Sequence, residues 1–504
     1  MLAWHFGSRG EAAAMLFGER ATTYAELARE SLRLARALVD AGASPGHRVV
    51  YLGKNCDRFY VLWFGAMFAG VVLAPINWRL APPEAAAIAA DTDAALLFVG
   101  PGASPDSARA MRQALGAGAR AVDLESELMG FISGFADCPL DREVAAEDIA
   151  VQLYTSGTTG VPKGVLLSHR ALLEPLQERL RAGIVWERVE PGQGLIVDLP
   201  SFHLGGTSWP LVGLHGGAQL LISPEFSPAF ILECLRRHDI PLLLMVPATL
   251  RLLLEASIGH PPDTFACVKF IRYGGAPITE DLLADCLTRI RCKFVQTFGS
   301  TETGGIVTAL PPEEHALPAT ARMRSAGRAL PGVEIAIVGA DGQLLASGEP
   351  GEILVRSQSN MSGYWRRPDA EREALVGQSG WLRTGDIGTI DEAGFLFILD
   401  RKQDMIITGG ENVYPAEVEN LIAGHPDVSD VAVAGIADPR WGQAVTAFVV
   451  PRPGALLEAV EVMGFCRGQI AGYKIPKRVV FLDELPRNAL GKVLRAELRA
   501  RLTA

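Results

Sequence analysis

The chain has 504 residues, with 47 Lys and Arg against 57 Asp and Glu, a formal charge of −10, and it is 49% hydrophobic and 21% charged. This is ordinary globular usage, which excludes a disordered chain, a collagen-like repeat and a small disulfide scaffold; at roughly 150 residues per domain it allows about three folding units. The acidic balance argues against a dedicated nucleic-acid binder but not against a phosphate-bearing small molecule, which needs only local cations.

In chain order, the first ten residues lack a basic stretch followed by an apolar core, so no signal peptide is expected. The longest apolar run, 61–76, carries Gly65, Gly70 and Pro75 and falls short of the ~20 residues needed to span a bilayer. It reads as a buried helix followed by a buried strand, with no transmembrane segment; peripheral membrane contact through an apolar patch stays open. Strands are predicted at 151–155, 242–246, 268–273 and 293–297. A helix is predicted from Pro228 behind a Ser227 cap, with Ile231, Cys234 and Leu235 on its apolar stripe, and another from Pro247 with Leu250, Leu253 and Leu254 inward. Short β-branched runs alternating with helical patterns predict an α/β fold, in which ligands gather at the carboxyl ends of strands. Beyond about residue 330 the texture changes to a smaller β-rich subdomain, with strands at 333–338, 352–356 and 395–399. A compact α+β domain follows over 404–504, with strands at 405–408, 431–435, 444–450 and 479–482 and helices at 415–423 and 458–470. The polar stretch 400–404 suits an exposed hinge closing a first domain of 1–400.

The seven cysteines (56, 138, 234, 267, 286, 292 and 466) are scattered, with no CxxC pair and no metal-ligand spacing. They read as reduced, mostly packed thiols of a cytoplasmic protein.

Several segments have the composition of ligand-binding loops. Residues 154–164 follow a strand and contain three glycines, four Ser/Thr hydroxyls and Lys163. Glycines let the backbone approach a ligand, successive N–H groups form an anion nest, and the lysine supplies a point charge for phosphate. The order Pro-Lys-Gly excludes a Walker A loop. Composition alone leaves a plain surface loop as the alternative. In 297–304, Glu302 beside hydroxyls suits Mg²⁺ on a nucleotide, or a capped helix start. Gly274 to Pro277 passes close to a flat ring or makes a simple turn. Asp386, ending 381–386, suits ribose hydroxyls or an ordinary turn. A lone lysine such as Lys492, in the basic stretch 486–495, is usually solvated. His203 reads as a satisfied histidine at a strand end.

Taken together, 154–164, 199–206, 274–277, 296–302, 381–386, 400–419 and 486–495 occur in the order seen in the adenylate-forming superfamily of acyl- and aryl-CoA synthetases, adenylation domains and luciferases. The chain resembles that superfamily over essentially its whole length. The stretch 400–419, Asp-Arg-Lys-Gln-Asp-Met-Ile-Ile-Thr-Gly-Gly-Glu-Asn-Val-Tyr-Pro-Ala-Glu-Val-Glu, is especially similar to bacterial fatty-acyl-CoA synthetases. The resemblance implies a large N-terminal domain, a small mobile C-terminal domain and a reaction in two halves. A carboxylate attacks the α-phosphate of Mg-ATP to give an acyl-adenylate and pyrophosphate, and the thiol of coenzyme A then displaces AMP. By the same resemblance, Thr155, Ser156, Gly157, Thr158, Thr159, Gly160 and Lys163 hold the β- and γ-phosphates. Thr301 touches the α-phosphate and Glu302 binds Mg²⁺. Gly275, Ala276, Pro277, Phe298 and Gly299 flank the adenine, and Asp386 and Arg401 hold the ribose. Lys492 bridges carboxylate and α-phosphate while the small domain is closed. Rotation of that domain then brings Gly409, Gly410 and Asn412 to the coenzyme A tunnel. The hinge residue is Gln403, where Asp or Lys is usual, and Phe298 stands where Tyr is common.

The acid is expected to sit among His203, Trp209 and Gly274. No arginine lies in 202–209 or 298–303, although Arg272 sits near one edge. A hydrophobic monocarboxylic acid of medium or long chain is the first expectation and an aryl acid the second, with malonate-like diacids disfavoured. A stand-alone enzyme loading a carrier protein, or a non-catalytic nucleotide binder, complete the alternatives.

Overall fold

The computed structural model describes residues 2–155, 162–276, 278–317, 320–377, 379–402, 404–409, 411–487 and 493–503. A seven-stranded sheet runs in the order Gly363–Tyr364, Lys163–Ser168, Ile149–Thr155, Val72–Ile76, Arg48–Leu52, Leu96–Val99 and Arg120–Asp123. The last five are mutually parallel, and the first two are added antiparallel. A four-stranded sheet of Arg20–Thr23, Ala13–Phe17, Gln219–Ile222 and Gly194–Val197 lies in the same domain, as does a five-stranded sheet running from Leu242–Met245 through Phe270–Gly274, Lys293–Ser300 and Gly305–Leu310 to Arg328–Ala329.

The apolar run 61–76 resolves as the reading proposed. The helix Asp57–Ala69 is buried on nearly every side, and Val72–Ile76 is buried throughout. The turn between them needs Gly70, which closes the helix at φ 66. Phe59, Tyr60 and Trp63 anchor the main core at 0% exposure; full burial of side chains this size stabilises by roughly 1.5–3 kcal/mol each. The Ser227 cap is also present. Its hydroxyl accepts the Phe230 N–H at 3.3 Å, and Ile231, Cys234 and Leu235 are buried beneath the helix Pro228–Arg237.

The β-rich texture after residue 330 is an antiparallel sheet of Val333–Val338, Gly351–Ser357, Trp381–Ile390 and Leu375–Val376, with Leu396–Arg401 added on Trp381–Ile390. From Ile406 the chain builds its own sheet, in which Ile406–Thr408, Glu411–Val413, Val428–Asp438 and Gly442–Pro451 are antiparallel and Arg478–Phe481 joins in parallel.

Two expectations change. The helix predicted over 458–470 stops at Cys466, because Gly464 weakens its last turn and Gly468 takes φ +78. The loop expected after residue 297 is instead the end of a strand that runs to Ser300 and returns as Gly305–Leu310, so Glu302 sits in a hairpin turn rather than at a helix start. Among the described residues no helix is long and apolar enough to cross a membrane.

Candidate active site

A cavity of about 920 Å³ opens where strand ends of three sheets meet. Thr155 and Lys163 enter from one sheet, Gly274, Gly299 and Ser300 from the second, and Glu352, Arg383, Thr384, Gly385 and Arg401 from the β-rich one.

The hairpin turn that carries Thr301 and Glu302 is shaped by its neighbours. Thr303, fully buried, accepts the Ser300 N–H at 2.8 Å and lies 2.8 Å from the Gly305 carbonyl. Gly304 takes φ +63, and a Cβ there would fall 1.7 Å from the Ser359 carbonyl oxygen. Only glycine fits that turn. The Met361 N–H then donates to the Glu302 carbonyl at 2.8 Å, which ties the 359–364 segment to it.

Glu302 therefore projects into the cavity from a rigid turn. Its Oε1 accepts from the Tyr364 hydroxyl at 3.3 Å and from Thr155 Oγ1 at 3.4 Å. Burial and the Glu302 charge hold the Tyr364 phenol well above its ordinary pKa, so it stays a donor. Its ring also lies 5.3 Å from Lys163 Nζ. Among the described residues both hydrogen bonds fall on one carboxylate oxygen, which leaves Oε2 for a cation. A half-buried carboxylate flanked by hydroxyls, beside a lysine, fits Mg²⁺ carried on a polyphosphate.

The strand under this corner is braced from behind. Tyr154 donates to Asp91 at 2.8 Å, Arg367 pairs with the same carboxylate at 2.8 Å, and the Trp365 indole N–H donates to the Asp91 carbonyl at 2.8 Å.

On the third side, Arg401 and Asp386 are opposite one another on paired strands and join at 2.8 Å. Asp386 is buried behind Arg401, which is itself about one-third exposed and faces the cavity with Thr384 and Gly385. Glu352, buried, pairs with both Arg383 and Lys402.

The opposite end of the cavity is apolar. Leu204, Trp209 and Val212 come from the helix Leu204–Gly216, Leu172, Pro175 and Leu176 from His169–Arg181, and Leu244 and Met245 from a strand end. His203 precedes the first helix. Burial against the Phe202 ring, with Arg79 nearby, pulls its pKa down to about 4, so it is neutral at pH 7. Trp209 is 3% exposed, and its indole N–H donates to the Ile196 carbonyl at 3.0 Å.

Of the residues singled out in the sequence, Thr155, Lys163, His203, Trp209, Gly274, Gly275, Gly299, Thr301, Glu302 and Arg401 line this cavity. Asp386 does not line it but pairs with Arg401, which does. Ala276 adjoins the wall without contributing to it, and Phe298 turns instead into the core of the β-rich sheet beside Val307 and Ile353. Gly409 and Asn412 are exposed on the hairpin between Ile406–Thr408 and Glu411–Val413. Ser156, Gly157, Thr158, Thr159, Gly160, Pro277, Gln403, Gly410 and Lys492 lie outside the described residues.

Besides Arg383 at the polar end, two arginines that line the apolar end were not placed in the pocket beforehand. Arg272 lines the wall rather than its edge, and Arg179 joins it from the helix His169–Arg181. The first had a signal. Alternation puts residues 272 and 274 on one face of their strand, so a lining Gly274 implies a lining Arg272. The second had only a helical stripe of Leu172, Pro175, Leu176 and Arg179.

The only grouping of metal-ligand side chains found among the described residues, Cys56, Asp57 and Glu125, lies elsewhere and is closed by Arg20, which meets Asp57 at 2.6 Å and Glu125 at 2.9 Å.

Comparison with known proteins agrees with this geometry. The family model for AMP-binding enzyme matches residues 2–365, and that for the AMP-binding enzyme C-terminal domain matches residues 417–492. The fatty acid–[acyl-carrier-protein] ligase ScoC of Streptomyces coeruleorubidus is 38% identical over 97% of this chain and 93% of its own length. An indoleacetate–CoA ligase of Aromatoleum aromaticum is 38% identical over 98% and 96%. The crystal structure of ATP-bound MatB from Rhodopseudomonas palustris superposes with a TM-score of 0.88 at 30% identity, covering 99% of this chain and 98% of that one.

Proposed function

The chain belongs to the AMP-binding enzyme family, and from that premise we propose that it activates a carboxylic acid with an apolar body by adenylation and transfers the acyl group to a thiol. It is an AMP-forming carboxylate–CoA ligase, with ATP, Mg²⁺ and coenzyme A as its other reactants. The observation that carries the finer reading is the division of one cavity into a polyphosphate end around Lys163, Glu302 and Arg401 and an apolar end around Leu172, Val212 and Met245.

In this reading the acid lies with its carboxylate toward Thr301. A carboxylate oxygen attacks the α-phosphorus, the bond to the pyrophosphate oxygen breaks, and the carboxylate proceeds to a mixed anhydride with AMP. A carboxylate is a weak nucleophile, so the barrier falls through positioning and charge neutralisation. Lys163 meets the departing phosphates. Glu302 holds the magnesium that, when bound, offsets phosphate charge. Arg401, kept in place by Asp386, receives the ribose, and Gly274 and Gly275 let the backbone lie flat against the adenine. Lys492 supplies one further cation from the C-terminal domain. Rotation at 400–404 withdraws it and brings Gly409 and Asn412 toward the cavity, after which the coenzyme A thiolate attacks the acyl carbon and AMP leaves.

The apolar wall favours a medium- or long-chain aliphatic acid first. An aryl acid is the second reading, favoured by the broad indole face of Trp209 in the wall. The deciding experiment is a panel of carboxylic acids varied in length and aromaticity, assayed for AMP formation that depends on coenzyme A. Adenylation that needs an added carrier protein, with none of the thioester formed on free coenzyme A, would move the enzyme to the carrier-loading class of its ScoC relative.

A further inference from the structure

The wall described as apolar has a charged floor. Arg179, Glu187 and Arg272 are 9%, 1% and 5% exposed, and both arginines line the cavity. Glu187 is shared between them: Oε1 lies 3.2 Å from Arg179 Nε, and Oε2 lies 3.1 Å from Arg272 Nη1. Two cations against one anion leave one positive charge in surplus. Its burial is costly unless an anion or a set of acceptors meets it.

We propose that this cluster is a recognition subsite for an oxygen acceptor, a carboxylate before a neutral carbonyl, at the end of the acid remote from the carboxylate that is activated. The proposal rests on the acyl reading of the cavity and refines it: an apolar body with an oxygenated far end.

Three features carry it. The Arg272 guanidinium offers five N–H donors, yet among the described residues its one hydrogen bond is the contact with Glu187, and its Nε is buried without a partner. The guanidinium is also pre-oriented. Its carbon sits 5.0 Å from the centroid of the Trp209 ring, and Trp209 is itself fixed by its bond to Ile196. A planar guanidinium held beside a fixed indole keeps its unused donors in place for bidentate contact with a carboxylate. Finally, a pocket that took plain hydrocarbon would be closed more cheaply by apolar side chains, since a buried ion pair seldom stabilises better than well-packed hydrophobes of the same volume. Burial and the neighbouring Arg179 both push the Arg272 pKa down and Glu187 only partly restores it, as expected of an under-compensated charge.

The test uses the full-length enzyme and three acid series of matched length, ending in a methyl, a primary amide or a second carboxylate, with kcat/KM read from coenzyme-A-dependent AMP formation. Acids with an acceptor end should exceed their methyl-ended partners by about 10- to 100-fold, the range of one hydrogen bond to a charged group. Arg272→Met, close in length and uncharged, should erase that ratio while the KM for ATP changes far less. Because the wild-type ratio needs no variant, the proposal stays falsifiable should Arg272→Met fail to fold. A wild-type preference for methyl ends, equal use of all three, or an unchanged ratio in Arg272→Met would overturn the subsite and leave the ligase reading intact. AMP formation with none of the acids would instead overturn the ligase reading on which it rests.

Discussion

The two ends of the cavity are built by different means. At the phosphate end the functional side chains sit on tight turns or strand ends shaped first by residues near in sequence, Glu302 between Ser300 and Gly304 and Arg401 opposite Asp386 on adjacent strands, with longer-range support for Glu302 from Met361 and Tyr364. At the acyl end the wall is assembled from faces of a helix at 169–181, a helix at 204–216 and strands at 242–245 and 270–274, which meet only after folding. Chemistry set by local turns should be sensitive to single groups. A wall contributed by many faces should change in preference before it changes in rate.

The strongest break of this contrast falls on the side that carries charge. Lys492→Ala should lower adenylation by about 100- to 1,000-fold, the usual effect of removing one preorganised electrostatic group. Thioester formation from a supplied acyl-adenylate should change only a few-fold. Equal loss in both half-reactions would contradict a cation delivered by domain rotation. Glu302→Gln keeps the size of the side chain and removes the charge. It should cost roughly 100-fold at limiting magnesium and recover partly as magnesium rises; a magnesium dependence identical to that of the parent would remove Glu302 from the metal.

The acyl side should answer differently. Trp209→Ala should shift the ratio of kcat/KM between a long aliphatic acid and an aryl acid by about tenfold, with little change in the KM for ATP. A ratio within one variant cancels any loss of folded enzyme, which matters because Trp209 is also part of the core. A larger effect on ATP than on acid preference would take Trp209 out of the acyl site.

The same contrast explains what was legible in the sequence. The strand predicted at 151–155 and the helix behind Ser227 announce themselves through a β-branched run and a capping serine, both short-range signals, while the glycines and hydroxyls of 297–304 marked a loop there but not the hairpin that forms. Lys163, Glu302 and Arg401 were therefore singled out, and all three line the cavity. Phe298 was singled out too but does not line it, because the strand runs on to Ser300 and its pleat sends residue 298 toward Val307 and Ile353. Arg179 and Glu187 were missed for a related reason. Each is an ordinary surface-type residue on its own element, and only tertiary packing brings them to Arg272. Charge pairing across 85 residues of sequence leaves no local trace.

His203 sharpens the comparison at its boundary, with the smallest expected effect. Its pKa of about 4 lies below the ordinary 6.5 because burial disfavours the cation. The unfolded chain therefore binds a proton between pH 6.5 and 4 that the folded chain refuses. Above pH 6.5 the group contributes nothing to the pH dependence of stability. As pH falls from 6.5 toward 4 the folded state loses stability, and below 4 the loss is complete. His203→Asn, which does not titrate, should flatten the acid limb of Tm against pH in that window and leave Tm at pH 7.5 to 8 with the same slope as the parent. Activity gives the second readout. A neutral imidazole from pH 6 to 8 cannot serve as a titrating base, so kcat/KM should show no inflection near 6.5 that disappears in His203→Asn. Finding one would make His203 a proton carrier and move it from the acyl wall into the charged machinery at the other end.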